Sequence, residues 1–227
     1  MERFTPMREI FIVIPVHNRI DMLIELLDEL NFDRQHVILV DNNSSPALSD
    51  IPTLSERTSI RTFKPRNIQA MWNKGWSMSA ARASGPYAVA FLNSDLMIAK
   101  ASMIKLVEEL DRQNASVTYP NQTGLIDGEL HREQRPGPID RNTRMTGWCF
   151  VVRGEMKTRF DESLVWWYGD DDFEWRARQE FGGCVMVGGV DARNRDADGA
   201  QRMYPELNAQ CNQDRLNFIA KWGTDSF

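Results

Sequence analysis

Two aspartates stand at the predicted carboxyl ends of buried strands, which is where side chains of an open α/β sheet meet ligands. Asp41 directly follows the apolar run Val37–Val40, and Asp95 closes the polar turn after Tyr87–Leu92. Asp41 can accept a hydrogen bond from the N–H edge of a base such as uracil, and Asp95 can hold a divalent cation under a diphosphate. Each can equally be a residue that closes a turn. Because two such carboxylates end two strands, a ligand site is favoured over coincidence.

An acidic cluster, Asp170–Asp172, follows the aromatic run Val165–Tyr168 and begins a predicted helix over residues 170–180. Acids in the first turn of a helix can be explained by the helix dipole alone. Aromatic faces beside carboxylates are also typical of carbohydrate sites, because apolar sugar faces stack on rings while sugar hydroxyls donate to acceptors. At least one ring of the run is expected to lie in the core. The cluster predicts either a helix start or a sugar-binding surface.

Several common catalytic motifs are missing from the sequence. No glycine-rich turn follows the first predicted strand, and neither a GxxxxGK[ST] loop nor a GxSxG elbow occurs. Their absence disfavours dinucleotide-binding, P-loop and serine hydrolase proteins. The three histidines, at positions 17, 36 and 131, have no metal-ligand spacing. Cys149 and Cys184 are predicted core residues, and three cysteines without a CxxC pair indicate a reducing compartment.

The elements that must position these side chains alternate along the first half of the chain. Short continuous apolar runs predict strands buried on both faces, and apolar residues at helical spacing predict helices between them. The predicted strands are Ile10–Ile14, Val37–Val40, Ser59–Phe63 and Tyr87–Leu92, and the predicted helices cover residues 20–30, 71–84 and 103–110. Repeated βα units of this kind indicate a mostly parallel sheet covered by helices.

The second half is less regular. Its predicted elements are strands over 146–152 and 185–190, the helix over 170–180 and a C-terminal helix over 208–222. Residues 131–144 have little apolar content and are predicted to form a long surface loop. The loop carries four arginines, Arg132, Arg135, Arg141 and Arg144. They can fold over a diphosphate, meet an anionic acceptor, or simply remain solvated.

The composition limits the class of protein to which this chain can belong. With 227 residues, 42% of them hydrophobic and 26% charged, the chain is expected to be an ordinary globular protein of one domain. A net charge of −5 argues against an extensive nucleic-acid-binding surface. No apolar run approaches the roughly 18 residues that span a bilayer, and the charged N-terminus does not resemble a signal peptide. We therefore expect a cytoplasmic protein.

The motifs, in this order, resemble the pattern of glycosyltransferase family 2, whose members have the GT-A fold. Each motif alone is weak, and the resemblance depends on their order and spacing over nearly the whole chain. The matching segments are IFIVIPVHNR at 10–19, VILVDNNS at 37–44, NIQAMWNKG at 67–75, YAVAFLNSD at 87–95, GWCFVVR at 147–153, FDE at 160–162, GDDDFEWR at 169–176 and KWG at 221–223. The resemblance implies a single Rossmann-like α/β domain over residues 1–227, with a nucleotide-sugar-binding half (1–98) and an acceptor-binding and catalytic half (99–227).

The resemblance also implies an inverting transfer from a nucleotide diphosphate sugar, most simply a UDP-sugar, to an acceptor hydroxyl. Asp170 would be the general base, Asp95 would hold Mn²⁺ or Mg²⁺, and Asp41 would bind the nucleotide base. The other implied donor contacts are Pro15, Val16, His17, Asn18, Arg19, Asn43, Asn67, Asn73, Lys74, Asn93 and Ser94. The implied contacts to acceptor or sugar are Trp148, Trp166, Asp172 and Arg176.

The sequence departs from the family pattern at several points. Asn93 stands at the first position of the DxD-type motif, Gln69 replaces a usual glycine, and Gly169 replaces a frequent glutamate. No histidine corresponds to the family's late metal ligand. Asn194 is nearest in register and is the further metal candidate, with Asp191 and Asp196 close by.

These departures keep open a second function, a non-catalytic nucleotide-sugar or carbohydrate-binding module on the same fold. A nucleotidyltransferase is disfavoured because no phosphate-binding glycine-rich loop is present. The acceptor is left open among a glycan, a protein, a small molecule and a modified nucleic acid.

Overall fold

The computed structural model describes residues 8–121, 130–196, 204–205 and 207–225. Its strands are β1 (Glu9–Val16), β2 (Val37–Asp41), β3 (Ser59–Thr62), β4 (Tyr87–Leu92), β5 (Leu96–Ile98), β6 (Val117–Pro120), β7 (Leu130–Glu133), β8 (Cys149–Arg153), β9 (Cys184–Val187) and β10 (Ala192–Asn194). Its α-helices are α1 (Ile20–Leu30), α2 (Pro52–Arg57), α3 (Ile68–Ala80), α4 (Lys100–Arg112), α5 (Gly169–Ala177) and α6 (Leu207–Trp222). Within the described ranges, no helix has the length and apolar character needed to cross a membrane.

The central sheet has eight strands in the order β3-β2-β1-β4-β8-β6-β9-β7. Pairing is parallel between β1 and both β2 and β4, between β2 and β3, and between β6 and β9. β8 and β7 run antiparallel to their neighbours. β5 and β10 form a separate antiparallel pair. The predicted mostly parallel α/β sheet is confirmed.

The core lies on both faces of the sheet. Successive side chains of a strand point to opposite sides, so β1 contributes to two clusters. Ile12 and Ile14 join the cluster that includes α1 and α4, whereas Phe11 and Val13 join the cluster that includes α3 and α5. Burial on both faces is the reason that the central strands are continuous apolar runs rather than alternating ones.

The sequence analysis predicts neither α2 nor the strands β5, β6 and β10. Two further elements differ from the prediction in their bounds or type. Helix α3 begins at Ile68, three residues earlier than predicted, because Asn67 Oδ1 accepts a hydrogen bond from the N–H of Ala70 (2.9 Å) and caps the helix. The predicted loop over 131–144 begins inside a strand, since β7 pairs antiparallel with β9 and places Glu133 opposite Cys184. β7 is a short edge strand of mostly polar residues, so no apolar alternation marked it.

Gln69 and Gly169, two positions that depart from the pattern that the sequence resembles, are in direct contact. Gln69 of α3 is 1% exposed, and Gly169 is the first residue of α5. A Cβ atom added at position 169 would lie 2.1 Å from Gln69 Cδ and Nε2. The Gln69 side chain therefore occupies the volume that a side chain at position 169 would need.

We expect Gly169→Ala to lower the free energy of unfolding by about 1–3 kcal/mol, because overpacking a filled site forces its neighbours to move. In a Gln69→Ala background the same change should have a much smaller effect. Gly85→Ala is the matched control, since a Cβ there meets nothing within 4 Å. Urea unfolding of the four proteins of the cycle measures the coupling. If the losses in the free energy of unfolding caused by the two single changes sum to that of the double variant within about 0.5 kcal/mol, the contact is contradicted.

Candidate active site

The loops that follow β1, β2 and β4 meet at one edge of the sheet and line a first cavity. β1 and β2 are in register up to Val16 opposite Asp41, so the two chains leave the sheet at the same level. The predicted residues that line this cavity are Pro15, Val16, His17, Arg19, Asn93, Ser94 and Asp95. The structure therefore brings together the polar ends of β1 and β4.

The loop after β1 has a tight left-handed conformation. Asn18 and Arg19 have φ angles of 61° and 54°, a region that few non-glycine residues adopt. The N–H of Asn18 donates to Ser44 Oγ (2.9 Å), and the N–H of Ser45 donates to Asn18 Oδ1 (2.9 Å). These bonds tie the loop after β1 to the loop after β2. Asn18 thus supports the wall of the first cavity.

His17 lies beside two residues of the first cavity that the sequence analysis did not single out, Arg66 and Tyr204. Its Nδ1 is 2.6 Å from the carbonyl oxygen of Asn42, which can only accept, so Nδ1 carries the proton in the neutral ring. The ring centroids of His17 and Tyr204 are 5.2 Å apart, and the Arg66 guanidinium lies 4.4 Å from the Tyr204 centroid. Arg66 could have been found from its place just after β3, the next strand end of the parallel sheet.

Asp41 is buried beneath its own turn. Only 1% of the residue is exposed, and its two carboxylate oxygens accept hydrogen bonds from the N–H groups of Ser44 (2.9 Å) and Leu48 (3.2 Å). These are the contacts of a turn-closing residue, the alternative that the sequence left open, and they differ from the predicted base-binding role. The adjacent Asn42 lines the first cavity instead, while Asn43 is exposed with a left-handed φ of 60°.

Three predicted donor contacts on or beside α3 are placed away from the first cavity. Asn67 caps the helix, and Lys74 is exposed. Asn73 Nδ2 donates to the carbonyl of Phe160 (2.9 Å) and its Oδ1 accepts from the N–H of the same residue (3.1 Å), which joins α3 to the FDE turn. The helical period explains the difference, because Ile68 faces the cavity and residues 73 and 74 lie on other sides of the helix.

Asp95 and Asp196 both approach the guanidinium group of Arg19. Nη2 of Arg19 is 2.5 Å from Asp196 Oδ2, and Nη1 is 3.7 Å from Asp95 Oδ2. The exposed fractions of the three side chains are only 17%, 20% and 14% for Arg19, Asp196 and Asp95. Burial raises the pKa of Asp95, while Arg19 opposes that rise and Asp196 adds to it.

The oxygens of Asp95 and Asp196 fit a divalent cation such as Mn²⁺ or Mg²⁺, because hard cations prefer carboxylate ligands. β10 creates this arrangement by pairing with β5, which places Asn194 opposite Leu96. The Oδ1 of Asn194 accepts from the N–H of Asp196 (3.2 Å), and Asn194 lines a neighbouring cavity. The second carboxylate near Asp95 is thus that of Asp196, in place of the predicted Asn194 amide. Within the described ranges, no three or more His, Cys, Asp or Glu side chains are clustered in a way that suits a metal.

A second cavity, of about 460 Å³, adjoins the first. The two cavities share the wall residues Ile68, Asn93 and Trp166. Asp170, in the first turn of α5, lines the second cavity. A Cβ atom at Gly147 would lie 2.8 Å from Asp170 Oδ2, so the glycine provides the space for this carboxylate. The predicted base therefore faces a cavity that shares part of its wall with the cavity at the strand ends.

The electrostatics of the second cavity suit proton abstraction. Burial raises the pKa of Asp170, and the positive charge of Arg144 opposes that rise. Arg144 lines the same cavity, with its Nη1 3.5 Å from Asp171 Oδ1. A carboxylate with a raised pKa is a stronger base once it is ionised, provided that the working pH still ionises it.

The loop that carries Arg144 is anchored to α5 and the following turn. The fully buried Arg178 donates to the carbonyl of Gly137 (2.7 Å), and the buried Glu174 accepts from the N–H of Met145 (3.1 Å). Arg178 and Glu174 form an ion pair of 3.0 Å, so each buried charge is compensated. The anchoring explains how a long polar loop can hold one arginine at a defined place.

The other arginines of this loop are used elsewhere. Arg132 donates to the carbonyl of Gln113 (2.9 Å), and Arg135 pairs with Glu133 while 86% of its side chain is exposed. Arg141 lines an adjoining surface groove with Arg144. Of the four arginines that the sequence analysis named, Arg144 is the one that lines the second cavity.

Two predicted tryptophans, Trp148 and Trp166, are partly buried and line the second cavity. The fully buried Asp214 of α6 holds the aromatic run in place, because its carboxylate accepts from the N–H groups of Val165 (3.0 Å), Trp166 (2.8 Å) and Trp167 (2.8 Å). The C-terminal helix therefore positions side chains of the site.

Asp172 and Arg176, predicted as sugar contacts, are placed in a buried network between α5 and α6. Asp172 is 0% exposed, and its Oδ2 accepts from Arg176 Nη2 (2.5 Å). Its Oδ1 accepts from Trp222 Nε1 (3.0 Å) and Lys221 Nζ (2.7 Å). Residues two apart on a helix point in different directions, so Asp170 faces the cavity while Asp172 faces α6.

Comparison with solved structures shows which proteins share this fold. Residues 1–349 of TarS from S. aureus match with a TM-score of 0.60 at 14% identity, over 89% of this chain and 65% of that chain. The corresponding TarS complex with UDP matches at 0.57 and 17% identity, over 79% and 57%. GalNAc-T7 with UDP, GalNAc and Mn²⁺ matches at 0.57 and 14% identity, over 80% and 43%. These likenesses confirm the predicted GT-A fold, and this chain spans less than two thirds of the length of each of these structures.

No curated protein sequence matches the chain. A sequence profile described as "Glycosyl transferase family 2" matches residues 11–159, which is most of the chain. The matched range contains the loops after β1, β2 and β4 and ends ten residues before α5 begins. The chain belongs to glycosyl transferase family 2.

Proposed function

We propose that the protein is an inverting glycosyltransferase that moves a sugar from a UDP-sugar to an acceptor hydroxyl, with residues 1–227 acting as one catalytic domain. The proposal rests chiefly on one observation: the cavity at the strand ends and the cavity of Asp170 meet at Asn93 and Trp166. A donor in the first cavity and an acceptor in the second would meet at that junction. Residues 1–98 supply most of the donor side, and residues 99–227 supply the base and most of the acceptor side.

A UDP-sugar donor is supported by the relatives in fold, since TarS is solved with UDP and with UDP-GlcNAc. In this chain His17 and Asn42 would border the nucleoside, and Arg19 and Arg66 would offer positive charge to the diphosphate. The first cavity encloses about 130 Å³, below the range of about 300–1,000 Å³ that is typical of ligand pockets. Donor binding therefore requires wall residues such as Tyr204 to move aside.

The proposed reaction is a single displacement at the anomeric carbon. Asp170 takes the proton of the acceptor hydroxyl while the hydroxyl oxygen attacks the anomeric carbon from the face opposite the diphosphate. The bond between the anomeric carbon and the diphosphate breaks, and its electron pair stays on the phosphate oxygen. Attack from the opposite face inverts the anomeric centre. When bound, a divalent cation supplies positive charge that stabilises the leaving diphosphate, and Asp95 with Asp196 would hold it. Trp148 and Trp166 offer ring surface to the sugars.

Asp170→Asn should abolish transfer while donor binding persists, because the amide keeps the shape of the carboxylate but cannot take a proton. A general base contributes about 10²–10⁴-fold, so we expect UDP release to fall by at least about 100-fold. The assay incubates the protein with labelled UDP-sugars, Mn²⁺ and a panel of acceptors, and calorimetry with UDP checks that the variant still binds. A fully active variant would refute the base assignment. UDP binding by the natural protein with no turnover on any donor and acceptor would favour the non-catalytic binding module.

Arg144→Gln should move the acidic limb of the pH profile of kcat to higher pH. Asp170 acts as a base only when it is ionised, so activity rises with pH through its pKa. Burial already raises that pKa and Arg144 lowers it, so removal of the arginine lets the pKa rise further. Arg135→Gln is the control, because Arg135 is a largely exposed arginine of the same loop. An unchanged profile, or a shift to lower pH, would contradict the role given to Arg144.

A further inference from the structure

The carboxylates of Asp95 and Asp196 converge on the guanidinium of Arg19, at the place where the donor set fits a divalent cation. We propose that Arg19 is a resident cation of this site, so that a divalent metal and the arginine compete for the same two carboxylates. The relevance to sugar transfer rests on the proposed function, but the competition itself is a property of the free protein.

The position of Arg19 is set by its backbone. Arg19 is the residue before α1 and has a left-handed φ of 54°. The preceding residue is also left-handed and is tied to the loop after β2 through Ser44 and Ser45. A residue held in a sparsely populated conformation persists only where its surroundings determine it. The loop therefore fixes the backbone of Arg19 beside the site, and its side chain, which is only 17% exposed, is held there by the two carboxylates.

The two carboxylates are also held in place by the backbone. The N–H of Arg195 donates to the carbonyl of Asp95 (3.0 Å), so the chain leading from β10 into Asp196 is bonded to the turn after β4. Asp95 and Asp196 thus lie on segments that are joined beside the site. This arrangement supplies a second carboxylate that the DxD-type motif lacks, because position 93 is asparagine.

The charges explain why the two cations exclude one another. Asp95, Asp196 and Arg19 together carry a net charge of −1. Arg195 also acts on Asp95, but its charge is paired with Glu25. A divalent ion added beside the guanidinium would bring three positive charges to two negative ones in a partly buried place, where like charges repel strongly. Metal binding therefore requires the Arg19 side chain to leave the carboxylates, and the energy of its ion pairs opposes metal binding.

The test measures binding of Mn²⁺ alone, without nucleotide or acceptor, from the electron paramagnetic resonance signal of free Mn²⁺. Arg19→Gln should bind Mn²⁺ at least about tenfold more tightly than the natural protein, because one positive charge within a few ångströms of the ion is removed. Arg66→Gln is the matched control, since Arg66 lines the same cavity but lies over the Tyr204 ring. An affinity of Arg19→Gln equal to or weaker than that of the natural protein, or an equal gain in Arg66→Gln, would overturn the competition.

A second pair of variants tests the ligands, and its part in the natural protein does not depend on Arg19→Gln being stable. Asp196→Asn should weaken Mn²⁺ binding in the natural protein and remove the gain in Arg19→Gln. Asp191→Asn should leave both affinities unchanged, because 75% of the Asp191 side chain is exposed and it pairs with Arg193. Equal effects of the two asparagine variants would overturn the assignment of Asp196.

The outcomes separate this inference from the proposed function. If the variants bind Mn²⁺ as expected but the protein releases UDP from no UDP-sugar, the competition is supported and the proposed function fails. If the protein transfers sugar but Arg19→Gln shows no gain in Mn²⁺ affinity, the competition fails and the proposed function is unaffected.

Discussion

Parallel pairing of β1 with β2 and β4 is the constraint on which the rest of the structure depends. Hydrogen bonds of a parallel ladder fix the register, and that register brings Val16 level with Asp41. The loops that follow neighbouring parallel strands therefore begin at the same edge of the sheet, where their polar groups can form hydrogen bonds with one another. The bonds of Asn18 to the loop after β2 use that proximity and convert two loops into one wall. The first cavity therefore depends on the strand register, which brings the loops together, more than on any one side chain.

The period of helix α5 points its acidic side chains in different directions. Asp170 faces the second cavity, Asp172 faces α6, and Glu174 faces the loop that carries Arg144. Asp172 and Glu174 are each held by an arginine four residues further along, because an uncompensated buried charge is strongly destabilising. Asp170 has no such partner on its own helix in the described contacts and instead faces Arg144, which explains why it is the acid of this helix suited to take up a proton.

Much of the fold could be predicted from the sequence, because apolar runs and helical spacing report burial directly. Asp95 and Asp170 each line a cavity, Asp95 from its place after a strand and Asp170 as the family resemblance implies, while the roles given to them stay predictions. Asp41 could not be settled, because a motif gives the residue type but not the direction of its side chain. Arg66 was missed although it follows β3, the next strand end of the parallel sheet. Asp196 was named only as a neighbour of Asn194, because its approach to Asp95 depends on the pairing of β10 with β5. The edge strand β7 escaped the sequence analysis as well, because a polar strand at the margin of a sheet has no apolar pattern.

The contact of Gln69 with Gly169 makes the residue tolerated at position 169 depend on the residue at position 69. With glutamine at 69, any side chain at 169 would collide, because even its Cβ would lie 2.1 Å from Gln69 Cδ. A smaller residue at 69 would instead leave a cavity between α3 and α5, which costs stability but causes no collision. Larger residues can therefore enter position 169 only after position 69 has become smaller.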